Sequence, residues 1–350
     1  MLVSPIENFV LLSTIFAVAC FTVASGLRLL IQRRFLRLRT VTLIRVYTLA
    51  LVLPPLLALW IVAAAFLPEL WMPEAFSAAH NTPHQLHLLG DLTARVEPTL
   101  AYMILLFATG AALFAAWCAW NSYIRVAQLI SNLQTNAEPA EPCQLAIVED
   151  AGRRYGLEVG LVMSDYPFSF VWGFSRSKLI VSSGLLHTLN EAELTGLLEH
   201  EAAHHQRRDN LVKLALSFCS YASLGFPFAR RILAWRGFEV EQMCDEIASS
   251  RTNEPLDIAS ALVKLRRQTS PARVAVSSFI AEDVSSFRSR VSRLIDLDDN
   301  TSINPASGVR SEIRFAITAG VLFIASLFVS VYFFPLGFHR ALESLIQLLA

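Results

Sequence analysis

Charge is scarce in this sequence. Lys, Arg, Asp and Glu make up 17% of the 350 residues, against about 25% in an ordinary soluble domain, and 54% of the chain is hydrophobic. With a mean hydropathy of +0.47, this composition excludes an ordinary soluble domain and points to an integral membrane protein. The 29 basic residues are cancelled by 29 acidic ones, so no global field favours nucleic acid. No nucleic-acid-binding motif is present either, and no direct nucleic-acid partner is expected. Cysteine is sparse too. Cys20 and Cys118 fall in apolar stretches, and Cys143, Cys219 and Cys244 have no CxxC spacing, which argues against a disulfide framework or a cysteine zinc knuckle. A basic region is missing before the first apolar stretch, which carries Glu7 and has its arginines behind it. It reads as an anchor rather than a cleaved signal.

What is abundant is long apolar sequence. A bilayer takes about 20 residues of helix, and four stretches reach that length: approximately Phe9 to Leu27, Tyr47 to Phe66, Leu100 to Trp120 and Phe315 to Phe334. Arg28, Arg33, Arg34, Arg37, Arg39 and Arg45 lie between the first two with no acid among them, which assigns that loop to the cytoplasm. The next loop, residues 67–97, holds Glu69, Glu74, Asp91 and Glu97 against Arg95 alone, as expected outside. The expected order is three spans within residues 1–120, a cytoplasmic domain over 121–314, a fourth span over 315–335 and a short external tail over 336–350. Both termini are then outside, and the lipid bilayer is a partner.

The cytoplasmic interval contains His200, Glu201 and His204, an HExxH signature inside a stretch that reads as helix from Leu194 to Arg208. Four residues apart on a helix, both imidazoles leave one face and can share one metal ion, while Glu201 can take a proton from a metal-bound water. Chance produces HExxH in roughly one chain of this length in a hundred, so the motif needs context. Asn190, with Glu193 three residues on, marks the helix start. A third ligand is sought in Phe238 to Ser250, where Glu241 is the best candidate and Glu239 and Glu246 compete with it. Asp245, one turn beyond Glu241, is placed to fix the tautomer of a ligand histidine. Leu161 to Met163, Ser169 to Phe174 and Lys178 to Ser182 read as short strands. Their edge, Ser169, Phe170, Val171, Trp172 and Gly173, is a candidate surface for an extended substrate peptide. Leu214 to Phe228 reads as a buried or membrane-apposed helix, and Gln268 to Arg314 as a flexible connection. In the external loop, His80, His84 and His87 are spaced for one metal ion, although Pro83 interrupts the helix this needs, and interfacial histidines are the simpler reading.

The passage from Phe168 to Asp245, with FSFVWGFSRSKLIVSSGLL, LLEHEAAHHQRRDNL and EVEQMCDE, resembles the M56 family of membrane metallopeptidases, typified by the antibiotic-sensing receptors BlaR and MecR. Three spans before the protease domain and one after are similar to that family's layout, whereas M48 peptidases of the HtpX type place two before the motif and more after it. The resemblance implies zinc held by His200, His204 and Glu241, with Glu201 as general base. Asp209, in the RRDN that follows the motif, matches the family pattern near the metal and receives no particular role. The expected fold class is then a mainly α integral membrane protein of a bacterial cytoplasmic membrane. Its four transmembrane helices carry a cytoplasmic α+β, gluzincin-type zinc metalloprotease domain with a small sheet.

The penicillin-binding sensor of those receptors is expected to be absent, since about fifteen residues follow Pro335 and a folded domain needs several times more. Ser175 and Lys178 spell SxxK without a companion SDN or KTG motif, and read as coincidence. The leading functional expectation is a signalling protease cutting a protein substrate, a BlaI-like or MecI-like repressor by resemblance, with a homodimer among the allowed states. The alternatives are an HtpX-like quality-control protease for membrane proteins and a non-catalytic receptor with structural zinc. The resemblance also makes Ser278 to Phe287 a candidate for self-cleavage.

Overall fold

The computed structural model describes residues 5–33, 38–71, 141–174, 177–222, 227–268 and 284–299, with isolated helical positions between 110 and 128. Most of the third expected span, the fourth span with its tail, His80, His84, His87 and Ser175 lie outside the described residues.

Helices α1 (Pro5–Gln32) and α2 (Thr40–Trp71) open the chain. Their windows Ser13–Gln32 and Thr40–Trp60 are long and apolar enough to cross a membrane and overlap the first two expected spans. They pack on each other through Ala24, Leu43, Tyr47, Ala50 and Leu51, and onto Leu216, Ala229 and Ile232 from further along the chain.

The second unit begins at α3 (Pro142–Tyr155), with proline at its first position, where no hydrogen-bonding N–H is needed. Three strands follow, β1 (Glu158–Val162), β2 (Ser169–Trp172) and β3 (Lys178–Ser182), in the order β1-β3-β2 with β1 parallel and β2 antiparallel to β3. The apolar run Leu179, Ile180 and Val181 makes β3 the buried central strand, and β2 is left at the edge. The first strand starts three residues before the expected Leu161, since the parallel register with β3 extends to Glu158.

A short helix α4 (Ser183–Thr188) turns the chain into α5 (Glu191–Arg207). Gly184 is required in α4: a Cβ there would sit 2.4 Å from the Asp165 carbonyl oxygen. The start of α5 is closed by reciprocal bonds, Asn190 accepting from the Glu193 amide at 2.8 Å and Glu193 accepting from the Asn190 amide at 3.0 Å. Leu194, Leu197 and Leu198 turn one face of α5 into the core formed by Leu179, Val181, Leu185 and Leu186. Each such buried leucine contributes about 1.5–3 kcal/mol.

Of the stretch Leu214 to Phe228, residues 214–222 lie in helix α6 (Asp209–Ala222) and residues 227 and 228 open α7 (Pro227–Thr252), where proline suits a helix start; residues 223–226 lie outside the described residues. Helix α7 runs antiparallel to α2: Arg236 donates to Thr48 Oγ1 at 3.0 Å and Glu246 accepts from Thr40 Oγ1 at 3.4 Å. Helix α8 (Pro255–Gln268) packs Ile258 against Gly196 of α5.

The expectation of a flexible connection after Gln268 is corrected over residues 284–299, which form helix α9 (Val284–Asp299). Val291, Leu294 and Leu297 recur at helical spacing and dock on Ala248, Ile258 and Ala259. The end of the self-cleavage candidate, residues 284–287, therefore lies in a helix, and residues 278–283 lie outside the described residues.

Candidate metal centre

The HExxH helix delivers its side chains as the spacing requires. His200 Nε2 and His204 Nε2 face each other at 3.2 Å. Glu241, from α7, brings Oε2 to 3.5 Å from His200 Nε2 and Oε1 to 3.6 Å from His204 Nε2. Ligand atoms bound about 2.0–2.1 Å from one tetrahedral zinc ion are about 3.3 Å apart, so the three residues already stand at the separation one ion needs.

The far sides of both rings are held by acids. Asp245 Oδ1 lies 2.9 Å from His200 Nδ1, and Asp209 Oδ2 lies 2.9 Å from His204 Nδ1. A carboxylate beside each Nδ1 favours the proton on that nitrogen and leaves both Nε2 lone pairs pointing at one point, which is unfavourable without a cation between them. Glu241 Oε2 is buried beside them, 3.5 Å from His200 Nε2 and 3.4 Å from Arg290 Nη1. Charge agrees as well. The four carboxylates of Glu201, Asp209, Glu241 and Asp245 face two guanidinium groups: Arg207 at 3.1 Å from Asp209, and Arg290 at 2.7 Å from Asp245. Carboxylates outnumber the guanidinium groups in direct contact with them, which favours a cation at this point.

Burial opposes the charge of Glu241, yet His204, His200 and Arg290 hold its carboxyl well below the usual range. Burial likewise opposes an imidazolium at His204, but the Glu241 and Asp209 carboxylates beside the ring push its pKa up. At Glu201 burial wins and pushes the carboxyl up, against His200, His204 and the Ser169 hydroxyl.

Asp209 reaches His204 because the chain reverses sharply between α5 and α6. Arg208 adopts a left-handed conformation, φ 54° and ψ 39°, and its amide closes the end of α5 on the His204 and His205 carbonyls. A second acid-and-sulfur group, His204, Asp209 and Cys244, also lies within metal-binding reach. It is the weaker candidate: burial pushes the Cys244 thiol up to about 11, so it stays protonated, and Arg207 already occupies Asp209. Among the competitors for the third ligand, Glu239 faces Arg28 of α1 and Arg293 electrostatically, and Glu246 pairs with Arg293. Neither joins the two histidines.

The edge strand lies against the same helix. Ser169 donates its hydroxyl to Glu201 Oε1 at 3.1 Å, fixing one carboxylate oxygen. Ser182 N bonds Phe168 O, so the alternation of an antiparallel ladder turns the backbone groups of Ser169, Val171 and Gly173 to the free edge. That edge is partly taken: Asn210 donates to the Val171 carbonyl at 2.9 Å and to the Gly173 carbonyl at 3.3 Å. Phe170 and Trp172 pack instead with Val162, Phe168 and Ile180 on the sheet.

Residues that the motifs did not single out for this centre are Arg207, Asn210, Cys244 and Arg290. Arg207 and Asn210 flank Asp209 and were within reach of a spacing argument, as was Cys244 beside Asp245. Arg290 lies 45 residues beyond Asp245, and no local signal ties it to the site.

With this geometry established, comparison with known proteins gives the class. Residues 144–269 match the family model described as Peptidase family M48. The chain is 31% identical over 115 residues to a "Protease HtpX homolog" of Ralstonia nicotianae, covering 31% of this chain and 39% of that protein. To the protein of the same description from Methanothermobacter thermautotrophicus it is 27% identical over 178 residues, covering 43% and 69%. To that of Aeropyrum pernix it is 35% identical over 104 residues, covering 28% and 32%. The chain thus spans about two fifths of the Ralstonia relative's length. The class indicated is a zinc-dependent metallopeptidase, and the family named by the matched segment is M48, where the motifs alone resembled M56. The distinction drawn from sequence between the two families rested on a span count that the described residues do not cover.

Proposed function

We propose that this chain is a membrane-anchored zinc metalloendopeptidase that cuts protein segments close to the cytoplasmic face of a bacterial inner membrane. The observation that carries the reading is the convergence of His200 Nε2, His204 Nε2 and the Glu241 carboxylate at 3.2–3.6 Å beside Glu201. His200, His204 and Glu241 would hold a zinc ion, which would supply Lewis acidity toward a carbonyl and a water. Glu201, with one oxygen fixed by Ser169, accepts a proton through the other and returns it to the leaving nitrogen. Asp245 and Asp209 keep the two imidazoles oriented. A substrate strand aligns along the free amides of β2, with Asn210 setting how far the pairing extends.

The position of Glu241 supports a membrane-proximal substrate. It lies on α7 between Arg236, bonded to Thr48, and Glu246, bonded to Thr40. That is the level of the first turns of α2, whose apolar window begins at Thr40. Similarity to proteins described as HtpX homologues favours proteolysis of membrane proteins, the quality-control reading, over cleavage of one BlaI-like or MecI-like repressor. Glu201→Gln should keep metal and fold while losing cleavage by at least a thousandfold. Proteomes of cells bearing wild type and Glu201→Gln separate the readings, since many uncut membrane proteins fit the first and one persistent cytoplasmic protein fits the second. Undiminished cleavage by Glu201→Gln would remove the enzymatic proposal itself.

A further inference from the structure

The peptidase family match ends at residue 269, yet one side chain at the metal centre comes from beyond it. Arg290, on α9, is buried with its side chain 2% exposed. Its Nε donates to Asp245 Oδ2 at 2.7 Å and its Nη2 to Asp245 Oδ1 at 2.8 Å, while Nη1 stands 3.4 Å from Glu241 Oε2. One planar group thus reaches the third metal-ligand candidate and the acid that orients His200.

We infer that Arg290 is a positioning residue for the metal centre, and that α9 completes a site which the matched peptidase segment alone leaves unfinished. The inference rests on the reading of His200, His204 and Glu241 as metal ligands. Asp245 Oδ1 serves both His200 Nδ1 at 2.9 Å and Arg290 Nη2 at 2.8 Å. The carboxylate plane is therefore set by the guanidinium fork, and with it the direction in which His200 presents Nε2. Two bonds from one rigid fork fix that plane, which the point charge of a lysine does not. Arg290 also separates two like charges. Glu241 and Asp245 lie one helical turn apart on α7, where like charges repel, and the guanidinium reaches both carboxylates, at 3.4 Å and 2.7 Å.

The rest of α9 is built to keep Arg290 there. Leu294 is fully buried against Ala248 and Ile258. Arg293, one turn on, pairs with Glu246 and donates to Gln242 at 3.3 Å and to Thr40 at 2.8 Å. Gln242 in turn donates to Ser289 at 3.4 Å. Glu241, Gln242, Asp245 and Glu246 form one face of α7, and α9 covers it. Thr40 is the first residue of α2, so the same lid touches the beginning of a membrane-crossing candidate.

The test uses the full-length protein in detergent, with zinc and cobalt as probes. Arg290→Lys keeps charge and length but loses the fork. It should bind zinc 10- to 100-fold more weakly in competition with a chromophoric chelator, and its cobalt complex should show a changed visible absorption spectrum. Arg293→Met, which weakens α9 docking without touching Glu241 or Asp245, should stay within about threefold of wild type. Thermal unfolding of each metal-free variant reports the fold separately. If the lysine variant does not fold, Arg290→Gln takes its place with the same expected outcomes. Wild-type affinity and an unchanged cobalt spectrum in the folded variant would overturn the inference. So would equal losses at 290 and 293, which would mark α9 as general support. Failure of the wild-type protein to take up one equivalent of zinc would instead refute the metal reading beneath it.

Discussion

Asp209 offers a demanding test of how the centre is held, because one carboxylate oxygen serves two partners. Its Oδ2 is 2.9 Å from His204 Nδ1 and 3.1 Å from Arg207 Nε. Replacing it by Asn keeps the shape and one acceptor while removing the charge. Two consequences of different origin follow. The imidazole loses the anion that keeps its proton on Nδ1 and its lone pair on Nε2. Loss of such an outer partner costs about 10- to 100-fold in metal affinity, or about 1.4–2.8 kcal/mol. Separately, Arg207, with its side chain 1% exposed, loses the carboxylate 3.1 Å from its Nε. Removing one partner of a fully buried pair costs about 3–5 kcal/mol. Asp209 retains some exposure and Asn still accepts a bond, so the loss here falls at or below the lower end.

The two effects separate in the pair Arg207→Met with Asp209→Asn. Deleting both charges removes the buried guanidinium together with the carboxylate it pairs with, so most of the lost stability should return, while zinc affinity stays low. Unfolding in detergent without metal measures the first quantity, and chelator competition measures the second. The reasoning is refuted if Asp209→Asn binds zinc as wild type does, or if the double variant recovers affinity together with stability. Although burial works against it, His204, Arg207 and Arg236 hold the Asp209 carboxyl below its ordinary 3.8. Its contribution is therefore present above that pH and disappears only as the medium becomes more acidic.

The remaining predictions concern the supporting frame. Burial lifts the Glu239 carboxyl from 4.5 to about 7, with Arg28 and Arg293 opposing and Glu246 adding to the rise. A raised carboxyl gives stability that is full below pH 4.5 and lost as pH climbs through 7, by up to about 3 kcal/mol. Glu239→Gln should flatten that decline, so denaturation midpoints of variant and wild type should diverge from pH 5 to pH 8; parallel curves would contradict the assignment. Asn190→Ala removes the side chain that caps α5 through the Glu193 amide. It should cost about 1 kcal/mol of stability with cleavage kinetics little changed, as measured by melting and steady-state assays on one preparation.

What the sequence conveyed well was local. His200, Glu201, His204 and the Asn190 cap are set by spacing along one helix, where period and position determine geometry. The structure brings them together with Glu241 and Asp245, which share a face of α7 for the same reason. The parts that sequence did not convey are contacts between distant elements. Asn210 reaches back 39 residues to the Val171 carbonyl, and a strand pattern has no means of announcing that its edge is occupied. Asp209 was visible as a motif residue, but its role depends on the left-handed turn at Arg208, a conformation that arginine's own propensity disfavours. Arg290 was hidden most completely, inside a stretch whose serines and arginines suggested solvent.

That concealment follows from what a buried arginine is for. Its surroundings on α9 are polar because its partners on α7 are acids. The cue that marks a core helix, an apolar stripe, is consequently reduced to Val291, Leu294 and Leu297. A helix whose inner face is designed to meet carboxylates reads as a linker until the carboxylates are located. Here they are the acids of the EVEQMCDE segment, which sequence alone assigned to metal binding and its support. Each of those acids needs a compensating cation, and the metal supplies only part. Had the buried negative charge around HExxH been weighed against the arginines flanking it, the deficit would have required at least one more guanidinium than Arg207. An arginine on an amphipathic stretch downstream, such as Arg290, was the kind of residue left to provide it.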